Sequence, residues 1–454
     1  MAVVGLQVGQ CGNQLGSALY AALGAEIEAA AAPGAGPGGE GFAADAAAAF
    51  FRPPRRGTRG ADDGRVRARA LLVDMEPKVV GRALKASSRA QAWRFDENRA
   101  CSAQGGAGNN WARGHRRGGP KHRDRVLALV RREIEDCDSL DGFLLVQSLA
   151  GGTGAGLGTA LAEALRDDYP GARLFNHCVW PYETGEVAVQ SYNTLLSLGG
   201  LLAASDGVLL ASNHELHRVC QKRLGLARPT FPDLNAVAAR ALASTLLPCK
   251  VGDGRGGGRR AARPLGDVLE HLCADPGHKL LSLRTLPLVP PKTAEFGTYS
   301  WESILKWLRQ MAVTGWHVDE GLDWGRQAPS QEGGWPIGRS VADFLVLRGR
   351  GASAVDPSVF RASGAYSSGT GGGGREPLLV ASSERTFGGH AVAASLLSNC
   401  QTCVAPTQRM LQRARAMYSA GAYMHQYERF GLERGDFDAA FEVVEGAMAR
   451  YCAL

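Results

Sequence analysis

Ala150-Gly151-Gly152-Thr153-Gly154-Ala155-Gly156 is the stretch whose reading decides the fold. It follows an apolar run, Gly142-Phe143-Leu144-Leu145-Val146, and precedes a helical pattern from Leu157 to Leu165. It therefore reads as a glycine-rich turn between a strand and a helix. Such a turn aims successive backbone N–H groups and the positive end of a helix at one point, and the natural occupant is a phosphate. No Gly-Lys-Ser/Thr follows, so the lysine of a Walker-type loop is missing, and the glycine order does not fit Gly-x-Gly-x-x-Gly opening a dinucleotide-binding helix.

Outward from this turn, strand-like runs alternate with helical segments between Val3 and Asn213. The runs are Val3 to Val8, Ala70 to Val73, Phe143 to Gln147, Leu174 to Val179 and Val208 to Ala211. That alternation predicts an α/β unit with a largely parallel sheet, whose ligands gather at the carboxyl ends of the strands. A helix is expected from near Asp233 to Leu246-Leu247, before Pro248, and a buried strand over Val341 to Leu347. Near the end, a helix from about Thr407 to Tyr418 precedes a second one. Its apolar face is Phe437, Phe441, Val444 and Met448, with Asp436 near its start, where a carboxylate suits the dipole.

The 454 residues are too many for one ordinary domain, and 45% hydrophobic with 21% charged residues describes a globular chain. The longest apolar-leaning run, Thr194 to Ser205, is too short to span a bilayer. No basic leader precedes Val3, so the sequence predicts an intracellular protein without a secretory signal. Ten scattered cysteines fit a reducing compartment, and the single pair Cys400 and Cys403 lacks the partners of a zinc site. The net charge of +7 concentrates in Arg52 to Arg69, Arg113 to Arg125 and Arg255 to Arg263, read as solvated loops. Aromatic residues are not interleaved there, which disfavours nucleic acid as a partner. Sixty glycines are nearly twice the usual share of about 7%. The excess in Pro33 to Gly41, Gly252 to Gly258 and Gly364 to Gly374 reads as poorly ordered surface insertions. His214 and His217 are three apart, not the four of a zinc-protease helix, and read as a solvated helix start.

Further motifs accompany the turn in order: Gly9-Gln10-Cys11-Gly12-Asn13-Gln14, Asp74-Met75-Glu76-Pro77, Gly106-Ala107-Gly108-Asn109-Asn110-Trp111-Ala112, Pro232-Asp233-Leu234-Asn235 and Ala422-Tyr423-Met424-His425-Gln426-Tyr427. Together they resemble the tubulin family over nearly the whole chain. The finer text is most similar to its delta branch, on Met75-Glu76-Pro77-Lys78-Val79, Trp180-Pro181-Tyr182, Thr184-Gly185-Glu186, Pro264-Leu265-Gly266-Asp267, Glu270-His271-Leu272 and Tyr451-Cys452-Ala453-Leu454. The resemblance implies an α/β, tubulin-like fold: a Rossmann-like GTP-binding domain with a parallel sheet over 1–212, a core helix with an α+β intermediate domain over 213–395, and a C-terminal helical hairpin over 396–454.

The resemblance also implies a guanine-nucleotide site. Asn213 and Asn235 would face the base, since an amide offers both a donor and an acceptor, with Asn13 and Gln14 nearby. Phe231 would stack on the base where relatives carry tyrosine. Gly9, Gln10, Cys11, Asn109, Gly151, Gly152, Thr153 and Gly154 would hold the phosphates of GTP or GDP, Ser148 would line that side, and Glu186 would reach the ribose. Gln190 replaces a glutamate common in relatives. Asp74 and Glu76 would bind Mg2+ directly or through water, or Asp74 would cap a helix. Asp267 would supply a catalytic acid to the nucleotide of the next subunit, with Glu270 as the fallback, or merely cap its helix.

The implied function is that of a GTP-binding cytoskeletal protein of centrioles, centrosomes and basal bodies, acting in cilium assembly in the cytoplasm. Its partners would be other tubulins, through longitudinal or lateral contacts, and centriolar proteins. Two other readings stay open, a GTP-locked structural adaptor without turnover and a self-polymerising GTPase. The basic charge and the short loop from Pro287 to Thr298 disfavour the latter.

Overall fold

Ala2–Val8 (β1) is buried along its whole length, as a strand covered on both faces must be, and it runs straight into α1 (Gly9–Ala31). Gly9 makes that reversal possible with φ +75°, a conformation costly for any residue with a Cβ. The computed structural model describes residues 1–33, 39–53, 64–183, 187–252, 258–290, 299–319, 321–322, 338–360, 366 and 376–454. These form two compact units, Met1–Val208 with Gln408–Gly446, and Leu209–Thr407 with Ala447–Leu454.

In the first unit the chain continues through α2 (Gly39–Phe50), β2 (Phe51–Arg52), β3 (Val66–Ala68), β4 (Ala70–Asp74), α3 (Pro77–Ser87), β5 (Trp93–Arg94) and β6 (Ala100–Ser102). It goes on through α4 (Gly119–Glu135), β7 (Leu140–Ser148), α5 (Gly158–Asp168), β8 (Arg173–Trp180) and α6 (Gln190–Ala204), and leaves through β9 (Gly207–Ser212). The order β8-β7-β1-β4-β6 is parallel at every pairing, as the alternating pattern predicts. Leu6, for example, lies between Leu71 and Leu145. The carboxyl ends of β1, β4 and β7 therefore emerge side by side, which gathers the motifs at one end of the sheet.

The second unit begins with α7 (Asn213–Lys222) and α8 (Phe231–Leu246), then β10 (Lys250–Gly252), β11 (Arg259–Ala261), α9 (Gly266–Leu272), β12 (Leu280–Leu286) and α10 (Trp301–Thr314). It continues with β13 (Ser340–Gly349), β14 (Leu378–Ser383) and β15 (Val392–Cys400). The order β11-β10-β14-β13-β15-β12 is antiparallel except for β13 with β14. Leu305, Leu308 and Met311 of α10 pack on Leu345 and Leu396 to form its core. A reciprocal capping box of Thr230 and Asp233 starts α8 two residues before the expected point. At its other end the buried Arg348 donates to the carbonyls of Ser244, Leu247 and Pro248.

The chain then forms α11 (Val404–Ser419), α12 (His425–Glu428) and α13 (Arg434–Cys452). Phe437, Phe441, Val444 and Met448 are all buried, and the Phe437 ring stands 4.9 Å from Tyr192 of α6 within the first unit.

Where the structure describes them, the first two basic stretches are not solvated loops, whereas Arg259–Ala261 of the third is exposed; residues 54–63 and 253–257 lie outside the described residues. Arg52 and Arg99 converge on the fully buried Glu133, at 3.2 and 2.8 Å, with Arg69 Nη1 at 3.8 Å. Asp96 and Asp136 complete the set. Arg113 to Arg125 is helical, a π-helical turn Arg113–Gly118 leading into α4. A buried carboxylate needs paired cations, and composition alone could not show where it lies. Of the glycine-rich stretches, Gly39 to Gly41 open α2 and Gly252 ends β10. Residues 34–38, 253–257, 364–365 and 367–374, and positions 291–298 of the loop after Pro287, lie outside the described residues. Among the described residues no helix is long and apolar enough to cross a membrane.

Candidate functional site

Three turns, at the carboxyl ends of β4, β6 and β7, meet beside the start of α1 at the end of β1. A Cβ on Gly9 would stand 2.7 Å from the Gly154 nitrogen, so the start of α1 and the Gly151–Gly154 turn are in backbone contact. A Cβ on Gly154 would meet the Ser148 nitrogen at 3.2 Å and the Val8 carbonyl at 3.3 Å. A Cβ on Gly152 would stand 2.6 Å from the Ala107 Cβ and 2.7 Å from the Asn110 nitrogen. Gly152 is thus required by the neighbouring turn, whereas a Cβ on Gly151 would meet nothing within 4 Å. Ser148 Oγ accepts from the Ala150 N–H at 3.3 Å. The helix after the turn opens with a widened π-helical turn, Thr153–Leu157, before α5. Gly156 and Gly114 permit it: their missing side chains would lie 2.2 Å from the Trp111 carbonyl and 2.1 Å from the Gly152 carbonyl. Such turns recur at functional sites.

The second turn is Gly105–Asn109. Gly105, Gly106, Gly108 and Asn109 all have positive φ, and among the described residues Asn109 is one of two non-glycines that do. The turn lies exposed at Asn109 and buried at Ala107. Its Gly106 N–H donates to the Met75 carbonyl at 3.2 Å, which joins it to the third turn, after β4.

In that third turn Asp74 is buried, and its Oδ1 accepts the Glu76 N–H at 3.2 Å. Its Oδ2 has no hydrogen-bond partner among the described residues. Burial, reinforced by the charge of Glu76, pushes the Asp74 carboxyl up to about 6. A buried carboxylate oxygen without a donor, beside the exposed Glu76, is a donor set suited to a hard cation that keeps waters and phosphate oxygens as its other ligands. No group of three or more His, Cys, Asp or Glu among the described residues is placed to hold a metal ion by itself.

The first motif divides by exposure. Gln10 and Gln14 are exposed, Cys11 is half-buried, and Asn13 is buried. Asn13 Nδ2 donates to the carbonyls of Gly9 at 2.9 Å and Val73 at 3.1 Å, fixing α1 to the end of β4. Removal from water pushes the Cys11 thiol up to about 12, so it stays a neutral thiol and not a nucleophilic thiolate. Gln190 opens α6 and donates to the Tyr182 carbonyl at 2.9 Å. Glu186 lies outside the described residues.

The second unit carries the other expected residues. Asn213 is the first residue of α7, after the cap Ser212, and is half-buried. Asn235, also half-buried, lies in α8, whose first residue, Phe231, is 53% exposed.

Asp267 is buried in the first turn of α9. Its Oδ2 accepts from Arg260 Nη1 at 2.6 Å and the Arg263 N–H at 2.8 Å. Its Oδ1 accepts from Arg260 Nη2 at 2.8 Å and from Arg263 Nη2 at 3.0 Å. Burial opposes its charge, but the bonds from Arg260 and Arg263 win and hold it below the usual carboxylate range. Glu270 is exposed and pairs with Arg263 at 2.7 Å.

A profile of the Tubulin/FtsZ family, GTPase domain, matches residues 2–221. The chain is 35% identical to the tubulin delta chain of Mus musculus over 468 residues, which covers the whole of both chains. The chain belongs to the tubulin family. The delta chain of Homo sapiens is 34% identical, again over the full length of both. The tubulin beta chain of Porphyra purpurea is 35% identical over 238 residues, 52% of this chain and 50% of that one. The family makes this chain a GTP-binding protein of the cytoskeleton, and its GTPase domain spans the three turns.

Sequence reasoning missed one residue of this site. Asn193 of α6, with no exposed surface, donates from Nδ2 to the carbonyls of Asn109 and Ala150, so it touches two of the three turns. The signal was an amide directly before the apolar-leaning run from Thr194 to Ser205.

Proposed function

We propose that this tubulin-family chain is a delta-type tubulin, working at centrioles, centrosomes and basal bodies and in cilium assembly. The observation that carries the reading is the contrast in coverage: the delta chains match from end to end, the beta chain over half. Guanine nucleotide lies with its phosphates against Gly9, Gln10, Cys11, Asn109, Gly151, Gly152, Thr153 and Gly154, and Ser148 lines that side. Asn213 and Asn235 face the base, with Asn13 and Gln14 nearby, Phe231 stacks on it, and Glu186 serves the ribose. Asp74 and Glu76 hold Mg2+, which when bound offsets phosphate charge. Residues 1–212 serve as the GTP-binding domain, 213–395 as the core helix and intermediate domain, and 396–454 as the C-terminal helices. The partners are other tubulins and centriolar proteins.

The engagement of Asp267 favours a second reading, an adaptor that binds GTP and does not stimulate turnover on its neighbour. A carboxylate whose two oxygens already accept bonds from Arg260 and Arg263 is poorly placed to take a proton from water.

The test is to express the tagged chain in ciliated cells depleted of their own delta chain. Focal signal at centrioles and restored cilium number support the proposal. Uniform decoration of the microtubule lattice without restored cilia contradicts it.

A further inference from the structure

We infer that Asn193 is a positioning residue that sets the spacing of the two phosphate-facing turns. The inference rests on the reading that Asn109 and the Gly151–Gly154 turn face the phosphates. A primary amide has two donor hydrogens and two acceptor lone pairs. At Asn193 all four are used: Nδ2 donates to the Asn109 carbonyl at 2.8 Å and the Ala150 carbonyl at 2.7 Å, while Oδ1 accepts from the Trp111 N–H at 3.0 Å and the Tyr427 hydroxyl at 2.7 Å. The amide cannot rotate without losing bonds.

The spacing matters because neither turn is built from stiff backbone. The Gly105–Asn109 turn is built from left-handed positions, and the Gly151–Gly154 turn is nearly all glycine, so both have much conformational freedom to lose on ordering. Asn193 anchors a carbonyl in each, and α6, whose Asn193 to Leu196 are buried, is the rigid element that carries it. Tyr427 locks the amide from the far side, its ring 5.5 Å from Tyr192 and 5.4 Å from Phe437. Asn110 adds a parallel link, its Nδ2 donating to the Gln426 carbonyl at 3.1 Å. The short α12 therefore braces the same turn twice.

Asn193→Asp is the sharpest perturbation. It keeps an acceptor for Trp111 and Tyr427 but sets a carboxylate oxygen against the Asn109 and Ala150 carbonyls. Asn193→Ala removes all four bonds without adding charge, and Tyr427→Phe removes one and leaves both turn contacts. GTP, GDP and guanosine affinities are measured on the full-length variants, with melting temperature as the check of folding. Outer partners of metal-ligating groups are typically worth about 10–100-fold in affinity, and the same order is taken for the turns that Asn193 holds. The expected result is a loss of about that size for GTP and GDP in Asn193→Ala and Asn193→Asp, a much smaller loss for guanosine, and near-wild-type values in Tyr427→Phe. A purely structural role instead lowers all three ligands together, and that outcome, or an unchanged GTP-to-guanosine ratio in folded Asn193→Ala, overturns the inference. Hydrogen exchange on the wild type is independent of variant folding. GTP, and not guanosine, should protect residues 189–197 together with 105–112 and 149–156; protection of the turns alone counts against the clamp. Wild-type protein that binds guanosine as tightly as GTP defeats the phosphate reading itself, a result distinct from either.

Discussion

Gly151 and Gly152 are neighbours in the sequence with opposite demands, and replacing each by alanine separates folding from ligand binding. The Cβ of Gly152→Ala would fall 2.6 Å from the Ala107 Cβ, 2.7 Å from the Asn110 nitrogen and 2.9 Å from the Asn110 oxygen. Ordinary contact begins near 3.4 Å, so the Gly105–Asn109 turn must retreat by about 0.8 Å. Two of the three obstructing atoms are backbone and cannot swing aside. Overpacking of this kind costs about 1–3 kcal/mol, which for a unit of this size lowers Tm by roughly 2–4 °C per kcal/mol. The loss is present without nucleotide. Gly151→Ala meets nothing within 4 Å and has no positive φ, so the nucleotide-free protein keeps its melting temperature or gains slightly, by about 0.4–1 kcal/mol. Its added methyl occupies the space proposed for phosphate, so the rise in Tm on adding GTP, which follows mass action, should shrink. Differential scanning fluorimetry with no ligand, guanosine and GTP reads both effects. An unchanged ligand-free Tm in Gly152→Ala, or a full GTP response in Gly151→Ala, would refute the assignment of the two roles.

Asp267→Asn should cost about 1–3 kcal/mol by loosening Arg260 and Arg263, and leave hydrolysis by a tubulin partner unchanged in a mixed-assembly turnover assay. Because the Asp267 carboxyl is held below its ordinary value, its contribution is present above about pH 4 and lost as pH falls through the depressed value; urea titrations between pH 3 and 6 should show a shallower acid limb in the variant. Arg348→Met leaves the carbonyls of Ser244, Leu247 and Pro248 unpaired in a buried site, and should lower stability by about 3 kcal/mol or more in the same titrations, with Arg348→Lys intermediate. Asn213→Ala and Asn235→Ala should each weaken GTP by about 1–3 kcal/mol while ATP gains relative to it; unchanged selectivity in competition binding removes them from the base.

The parallel sheet was legible in the sequence because its strands are buried on both faces and read as unbroken apolar runs, and Ala2–Val8 and Leu140–Ser148 fall on the predicted Val3 to Val8 and Phe143 to Gln147. The glycine turn itself was legible because glycine between a strand and a helix has few uses. What Gly152 does was not legible, since its neighbour Ala107 is 45 positions away and only the folded chain brings them together. The same holds for Glu133, whose arginines come from residues 52, 69 and 99, and for Asn193, which resembles an unremarkable helical amide until its four partners are in place. Asp267 shows the converse. A motif located the residue, but the arginines that occupy it, Arg260 and Arg263, belong to a segment read as solvated.

The central claim is that guanine nucleotide places its phosphates where the ends of β1, β4 and β7 meet. A structure of the full chain with GTP and Mg2+ tests it most directly. The account predicts phosphate oxygens within hydrogen-bond reach of the backbone N–H groups of Gly151 to Gly154 and of Gln10 and Cys11, with the cation beside the partnerless Asp74 Oδ2. Nucleotide density elsewhere on the chain, with these three turns vacant, would contradict it.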